Sequence, residues 1–410
     1  METRAHQSQM PSERLRLKSS RLLISGQGAS ELRSCLQALP WNQEGTRLQG
    51  ARADIRTPAA AASAVAAPTS KSTVDIDWDN IGFGIRDTDY MYVATCQLGT
   101  EEWRGSLRPF GNMTMSPSAA VLNYGQGVFE GLKASRTADG RILLFRPEEN
   151  AARMTYGAGR MSMPAPPKDL FLDAVKQTVL ANEAWIPPYG KGSLYIRPLL
   201  IGTGAVLGLA PAPEFTFLVF VSPVGSYFKT GQMSPLDLYV EEVFKRASPG
   251  GSGGVKTISN YAPVLMTQLN AKKQGFADVI YLDAVENKYV EEVSSCNIFV
   301  VKGKTIVTPE LKGTILPGIT RKSVMELARS KGFDVSEERV SIEDLLAGDE
   351  VFCTGTAVVI SAVGSVTYQG KKREYHTGQP GPVAQDLYKT LTDLQTGRSP
   401  DTLGWTIQLS

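Results

Sequence analysis

The chain has 410 residues, 42% hydrophobic and 20% charged, which is ordinary globular composition and too long for one small domain. A formal net charge of +2 provides no broad electrostatic footprint for nucleic acid, and no uncharged apolar run reaches the ~18 residues that a membrane span needs. Only His6 and His376 are available as histidines, so multi-histidine metal sites lack ligands and Ser-His-Asp catalysis has almost no candidate base.

Residues 1–72 read differently from the rest. Arginines such as Arg4, Arg14, Arg16, Arg21 and Arg33 outnumber the acids, serine is frequent, and an Ala-rich stretch, Ala59 to Ala67, closes the segment. That is the profile of an organelle transit peptide; a disordered tail without an address is the plainer alternative. The folded part is expected to start near Ile76–Trp78. Strands are predicted over Tyr90–Cys96 and on both sides of Asp139-Gly140, at Leu132–Ser135 and Ile142–Phe145. Pro147 suits the first turn of a helix to about Met161, and a second helix is expected over Leu170–Trp185. Strands come next at Leu194–Ile201 and Phe215–Val221. These elements make residues 73–222 a small α+β domain.

A break rich in Gly, Pro and Ser places a linker at residues 223–234, and residues 235–410 form a larger domain. Its predicted order is strand Leu236–Val243, a Gly-rich loop, helix Pro263–Gly275, strands Val279–Asp283, Asn297–Val301 and Thr305–Thr308, helix Thr320–Lys331, strand Glu350–Cys353, and helix Pro382–Leu394. The four cysteines, Cys35, Cys96, Cys296 and Cys353, include no CxxC pair, which argues against a zinc ribbon and for a reducing compartment.

Two glycine stretches imitate nucleotide motifs. Gly250-Gly251-Ser252-Gly253-Gly254-Val255-Lys256-Thr257 nears a P-loop, but Val255 separates glycine from lysine. Gly202-Thr203-Gly204-Ala205-Val206-Leu207-Gly208 has one residue too many before its last glycine for a dinucleotide turn, and reads as a surface loop.

Lys256 alone would be an exposed cation. The residues downstream of it change the reading. Tyr261 offers a phenol five residues on, Glu292 precedes an apolar strand, Leu316-Pro317-Gly318-Ile319-Thr320-Arg321 opens a helix as anion sites do, and Thr354-Gly355-Thr356-Ala357 comes after a strand. That order and spacing, Glu292-x-Ser294-x-x-Asn297, then Ile306-x-Thr308, then Leu316-x-Gly318-Ile319-Thr320-Arg321, resembles the fold type IV pyridoxal-phosphate aminotransferases over roughly residues 76 to 410. Within that class, Tyr124-Gly125-Gln126-Gly127-Val128-Phe129-Glu130-Gly131, Leu144 to Arg153, and Tyr195-Ile196-Arg197-Pro198-Leu199 look like the branched-chain amino-acid aminotransferases, plant forms above all.

The resemblance implies a two-domain α/β fold of the D-amino-acid aminotransferase type, with the cofactor, pyridoxal 5'-phosphate, at the domain interface. It implies reversible transamination of leucine, isoleucine and valine with 2-oxoglutarate, in synthesis or breakdown of the branched-chain amino acids. By the same likeness, Lys256 binds the cofactor as a Schiff base and moves the proton, Glu292 pairs with the pyridine nitrogen, Tyr261 bonds the ring oxygen, and Arg153, Leu316, Ile319, Thr320 and Thr356 hold the cofactor, mostly at its phosphate. Phe129, Tyr124, Tyr195 and Tyr227 would surround the substrate side chain, Arg197 would take a distal carboxylate, and Ala357 with Thr356 the α-carboxylate, near Ser295. The Leu207-Gly208-Leu209 loop matches one that enters a neighbouring subunit's site, so Leu209 is expected there and a homodimer is implied. Stretches such as Asp89-Tyr90-Met91-Tyr92 look like plastid forms, with a mitochondrion as the other destination. Two departures from the animal members stand out: Val358, Val359 and Ile360 occupy the region of their CxxC pair, and Ser295 stands where they usually have a threonine. D-amino-acid aminotransferases and aminodeoxychorismate lyases share the second-half pattern, but the first-half stretches argue against both. A catalytically silent binding protein is the alternative from another class.

Overall fold

A computed structural model describes residues 74–410, apart from residue 101, residues 226–232 and residue 410. The expected leader and Tyr227 lie outside the described residues. The strands of the first half are β1 (Tyr90–Gln97), β2 (Arg104–Pro109), β3 (Gly127–Phe129), β4 (Leu132–Arg136), β5 (Ile142–Phe145), β6 (Gly192–Gly202) and β7 (Glu214–Gly225), of which β1 and β7 are rich in β-branched and aromatic residues. After the undescribed stretch come β8 (Leu236–Glu241), β9 (Asp278–Leu282), β10 (Val290–Val293), β11 (Asn297–Lys302), β12 (Thr305–Pro309), β13 (Asp334–Glu338), β14 (Glu350–Gly355), β15 (Val359–Tyr368) and β16 (Lys371–Glu374), and the chain ends on β17 (Thr406–Gln408). The helices are α1 (Ala120–Tyr124), α2 (Pro147–Arg160), α3 (Lys168–Ala181), α4 (Ala262–Lys273), α5 (Ile319–Ser330), α6 (Ile342–Leu346) and α7 (Pro382–Gln395).

Two sheets result. The first runs β17-β5-β4-β6-β7-β1-β2, with β3 on the far half of β6, and is antiparallel. The second runs β10-β9-β8-β15-β14-β11-β12-β13 and mixes parallel and antiparallel pairs. Each has its own core. In α3, Phe171, Ala174, Val175 and Val179 recur at helical spacing and are buried against the first sheet, where Phe171 stacks on Phe217 at 5.8 Å. Under the second sheet, Phe299 stacks on Phe352 at 4.9 Å, covered by Val324 and Ala328 of α5 and Leu387 and Leu391 of α7.

Three expectations about elements are adjusted. The helix expected to reach Trp185 stops at Ala181, because the Asn182 carboxamide accepts the Asp89 and Tyr90 N–H groups and donates to the Tyr90 and Thr178 carbonyls; residues 183–185 form a 3₁₀ turn. Strand β7 continues through Pro223 to Gly225. Its register with β1 covers Glu214 to Val219, so farther along only β6 pairs with it, and a proline without N–H is tolerated there. The sequence pattern shows no strand at the chain end, yet β17 closes the first sheet on β5.

That return is anchored by Trp405. The indole is buried, meets the Phe145 ring edge-on at 5.8 Å, and lies 4.7 Å from the Arg146 guanidinium. The Trp405 carbonyl accepts the Arg146 N–H at 2.7 Å, holding Arg146 in a left-handed conformation at φ 47°. Trp405→Ala is expected to destabilise the protein by about 3–5 kcal/mol, measured as a shift in the denaturant midpoint; an unchanged midpoint would contradict the anchoring role.

Candidate active site

The loop before Lys256 needs small residues. A side chain at Gly253 would strike the Thr314 carbonyl, and the Gly254 N–H donates to the Gly313 carbonyl at 2.8 Å. Asn260 then folds the loop back, its amide nitrogen donating to the carbonyls of Ser252 (2.7 Å) and Val255 (2.8 Å). Lys256 is thereby carried between the sheets, where its carbonyl accepts the Phe129 N–H from β3. Its Nζ donates to the Tyr261 hydroxyl at 3.1 Å and lies 4.6 Å from the Phe129 ring centre. Burial pushes the amine down to about 8, and the Arg153 guanidinium adds to the effect. Burial also pushes the Tyr261 phenol up to about 12, so it keeps its proton near neutrality.

Glu292 lies on β10 with almost no exposure. A single oxygen, Oε1, accepts from Arg246 Nη1 at 2.6 Å and from the Leu316 N–H at 3.0 Å. Burial pushes this carboxyl up to about 7, against the pull of Arg246 and of the Leu316 N–H. Arg246 and Glu292 form a buried ion pair, in which removal of either partner would strand a charge.

A second buried pair lies opposite. Arg153 on α2 donates from Nε (2.8 Å) and Nη2 (2.7 Å) to the two oxygens of Glu130, and from Nη1 to the Pro317 carbonyl at 3.0 Å. Asn150 donates to Glu130 as well. This bidentate geometry fixes the guanidinium plane. Beside it, α5 begins at Ile319, its approach secured by the Asn297 amide, which donates to the Leu316 carbonyl at 2.9 Å. A side chain at Gly318 would collide with that amide.

Arg153, Lys256, Glu292, Ser295, Leu316, Ile319, Thr320 and Thr356 thus surround one small cleft. Thr354 Oγ1, on the same wall, is buried without a hydrogen-bond partner. The cleft opens into a cavity of roughly 530 Å³ to which Phe129, Tyr195, Arg197, Tyr261 and Ala357 contribute. Arg197 lies 4.9 Å from the Phe129 ring centre and 5.3 Å from that of Tyr195, and its Nε is buried without a partner. Gly131 must be small, because a side chain there would meet the Tyr195 hydroxyl.

Not every expected residue is in this cavity. Tyr124 is half-exposed, its hydroxyl bonded to the Leu207 carbonyl, and Leu209 is 88% exposed on the same protruding loop. Two charged residues of the site escape the sequence reading. Glu130 carries a signal, an acid inside the apolar run Val128-Phe129-Glu130-Gly131; Arg246, in a stretch of mixed charge, carries none.

Known proteins share both the sequence and the fold of this chain. Residues 127–366 match the amino-transferase class IV family. The chain is 64% identical over 336 residues to branched-chain amino acid aminotransferase 2, chloroplastic, of Humulus lupulus, covering 82% of each chain. It is 61% identical over 349 residues to branched-chain-amino-acid aminotransferase 5, chloroplastic, of Arabidopsis thaliana, covering 85% of this chain and 84% of that one. Its fold is similar to the crystal structure of the T.th. branched-chain amino acid aminotransferase complexed with N-(5'-phosphopyridoxyl)-L-glutamate, with a TM-score of 0.68 at 28% identity over 79% of this chain and 99% of that one. The chain belongs to the amino-transferase class IV family.

Proposed function

We propose that the chain moves the amino group of leucine, isoleucine or valine reversibly to 2-oxoglutarate, yielding branched-chain 2-oxo acids and glutamate, with Lys256 as the reactive amine. The observation that carries this reading is the desolvated Lys256 amine, beside the Tyr261 hydroxyl and in one cleft with the buried Glu292. Class IV aminotransferases depend on pyridoxal 5'-phosphate, and so does this chain.

The residues present fit that group. Both bonds to Glu292 end on Oε1, which leaves Oε2 to accept from a protonated ring nitrogen. The phosphate would be held by Arg153, the start of α5 at Ile319 and Thr320, Thr356, and the unpartnered Thr354 hydroxyl. When bound, the cofactor supplies an electron sink for the bonds at the substrate Cα. Lys256, with its lowered basicity, takes a proton from that carbon and returns it. Tyr261 keeps its own hydrogen for donation to the ring oxygen while accepting from Lys256. Arg246 opposes the upward push of burial on the Glu292 carboxyl and so favours the ionised form that would hold the ring nitrogen protonated.

Phe129 and Tyr195 supply the apolar wall for a branched side chain, and Arg197 takes the distal carboxylate of glutamate; Tyr227, which the family likeness adds, lies outside the described residues. Thr356, Ala357 and Ser295 face the α-carboxylate. Leu207 (90% exposed) and Leu209 (88%) lie on the loop that carries the homodimer reading: Leu209, on the loop whose Leu207 carbonyl accepts from Tyr124, would complete the site of a second copy. The two sheets would be the small and large domains. A plastid is the destination favoured by the basic, Ser- and Ala-rich leader and by the chloroplastic forms among the relatives.

Lys256→Ala should abolish both the visible band of the bound cofactor and leucine transamination; retained turnover would refute the assignment. Arg197→Met should raise KM for 2-oxoglutarate by about tenfold or more and change KM for leucine far less; equal effects would remove Arg197 from the distal carboxylate. Only the neutral amine attacks an aldehyde, so covalent uptake of pyridoxal phosphate by the apo protein should speed up as pH rises and level off above about 8, where Lys256 is mostly deprotonated. Stopped-flow absorbance reads this, and a rate independent of pH would show that Lys256 is not the group taking up the cofactor.

A further inference from the structure

Lys133 is a partly buried cation that the proposed chemistry leaves unused. It sits on β4, and its Nζ donates to the Ala357 carbonyl of the second sheet at 2.7 Å. Next to it, the Thr356 hydroxyl donates to the Gly131 carbonyl at 3.2 Å. Gly131, just before β4, and Lys133, its second residue, therefore hold two successive residues of the turn between β14 and β15. Burial alone pushes the Lys133 amine down to about 8, with no carboxylate acting on it. A cavity of roughly 40 Å³ beside it, also lined by Ser135, Asn150 and Thr320, has room for a water molecule to take up further N–H groups. An apolar side chain could bridge this seam without the desolvation penalty of an ammonium. It could not, however, bind the carbonyl.

The consequence for the turn comes from peptide geometry. In a trans peptide, C=O and the following N–H point to opposite sides. Fixing the Ala357 carbonyl on the Lys133 side presents the Val358 N–H on the other, and Val358 lines the large cavity. We propose that Lys133 is a positioning residue for the α-carboxylate of both substrates, because it sets the Thr356–Val358 turn whose N–H groups receive that carboxylate. The proposal rests on the transamination reading above. Amino acid and 2-oxo acid share this carboxylate, so Lys133 acts on both alike, unlike Arg197, whose proposed ligand exists only on the dicarboxylic partner.

The test compares wild-type holoenzyme with Lys133→Met and Lys133→Arg. In Lys133→Met, KM for leucine and for 2-oxoglutarate should rise together by about tenfold, with kcat within about threefold and the cofactor band intact. Lys133→Arg, which keeps a donor, should recover part of the loss. Titrating the cofactor band with 4-methylpentanoate, a branched carboxylate without an amine, reads the same contact without turnover and should weaken about tenfold. Wild-type enzyme that binds this acid but does not transaminate leucine would refute the functional reading and still leave the Lys133 comparison decisive. Unchanged KM values and unchanged acid binding in Lys133→Met overturn the proposal. Should that variant not fold, Lys133→Gln, whose shorter side chain cannot reach the Ala357 carbonyl, takes its place, and unchanged KM and acid binding there overturn the proposal equally.

Discussion

Keeping an amine out of water is the constraint around which this molecule is arranged. An ammonium in the interior is unfavourable, and the Lys256 amine responds by losing basicity. The surrounding charges preserve that condition. Arg153 depresses the lysine further while Glu130 raises it, and the two are joined by a bidentate contact. Arg246 and Glu292 are likewise joined. Arg197 lowers the amine as well, and burial is the largest influence on it. Isolated, any of the four paired charges would be costly to bury.

The second demand is that groups borne by two sheets meet within hydrogen-bond distance. Lys256 and Glu292 belong to the second half of the chain, Arg153, Glu130 and Arg197 to the first. The ties across the seam are polar and directional: Arg153 to the Pro317 carbonyl, Lys133 to the Ala357 carbonyl, Thr356 to the Gly131 carbonyl, and the Thr257 hydroxyl to the Gly127 carbonyl at 2.8 Å. Apolar contacts could join the sheets as strongly but tolerate sliding, whereas each of these bonds weakens steeply when displaced. The same logic accounts for Arg146. It reaches Ser323 and Glu326 on α5 while its ring contact and backbone engage Trp405, so the chain end steadies the helix whose first turn lies at the cleft.

Legibility in the sequence depends on distance along the chain. Lys256, Tyr261, Glu292, Leu316, Ile319, Thr320 and Thr356 are embedded in local patterns, a glycine loop, a strand edge and a helix start, and the structure brings them into one neighbourhood. Long helices with a clear apolar face are legible to within a few residues, α2 and α7 among them. The hidden part is what pairing creates. Arg246 finds Glu292 across 46 positions and Lys133 finds Ala357 across 224, separations over which periodicity carries no information. Short strands such as β3 and β17 escape for the same reason: three residues make no pattern, and only the neighbouring strand makes them strands. Tyr124 and Leu209 come from family likeness alone, and they lie away from their own chain's cavity.

A wall that serves both a branched hydrocarbon and a dicarboxylate must be apolar and cationic at once. In the proposed site Arg197 would reconcile the two, because its charge is spread over a plane that rests on the aromatic faces of Phe129 and Tyr195. Stacked there, the guanidinium tolerates an aliphatic neighbour better than a lysine ammonium would, since it is more weakly hydrated. Its unpartnered Nε still offers a donor to a carboxylate. The nearby thiols fit the same picture of a quiet, desolvated wall: Cys296 and Cys353 both line the cavity, and burial pushes Cys296 up to about 12 and Cys353 well above its usual range. At neutral pH they are protonated and behave as small apolar groups, so they extend the hydrophobic lining and bring no nucleophile to compete with Lys256.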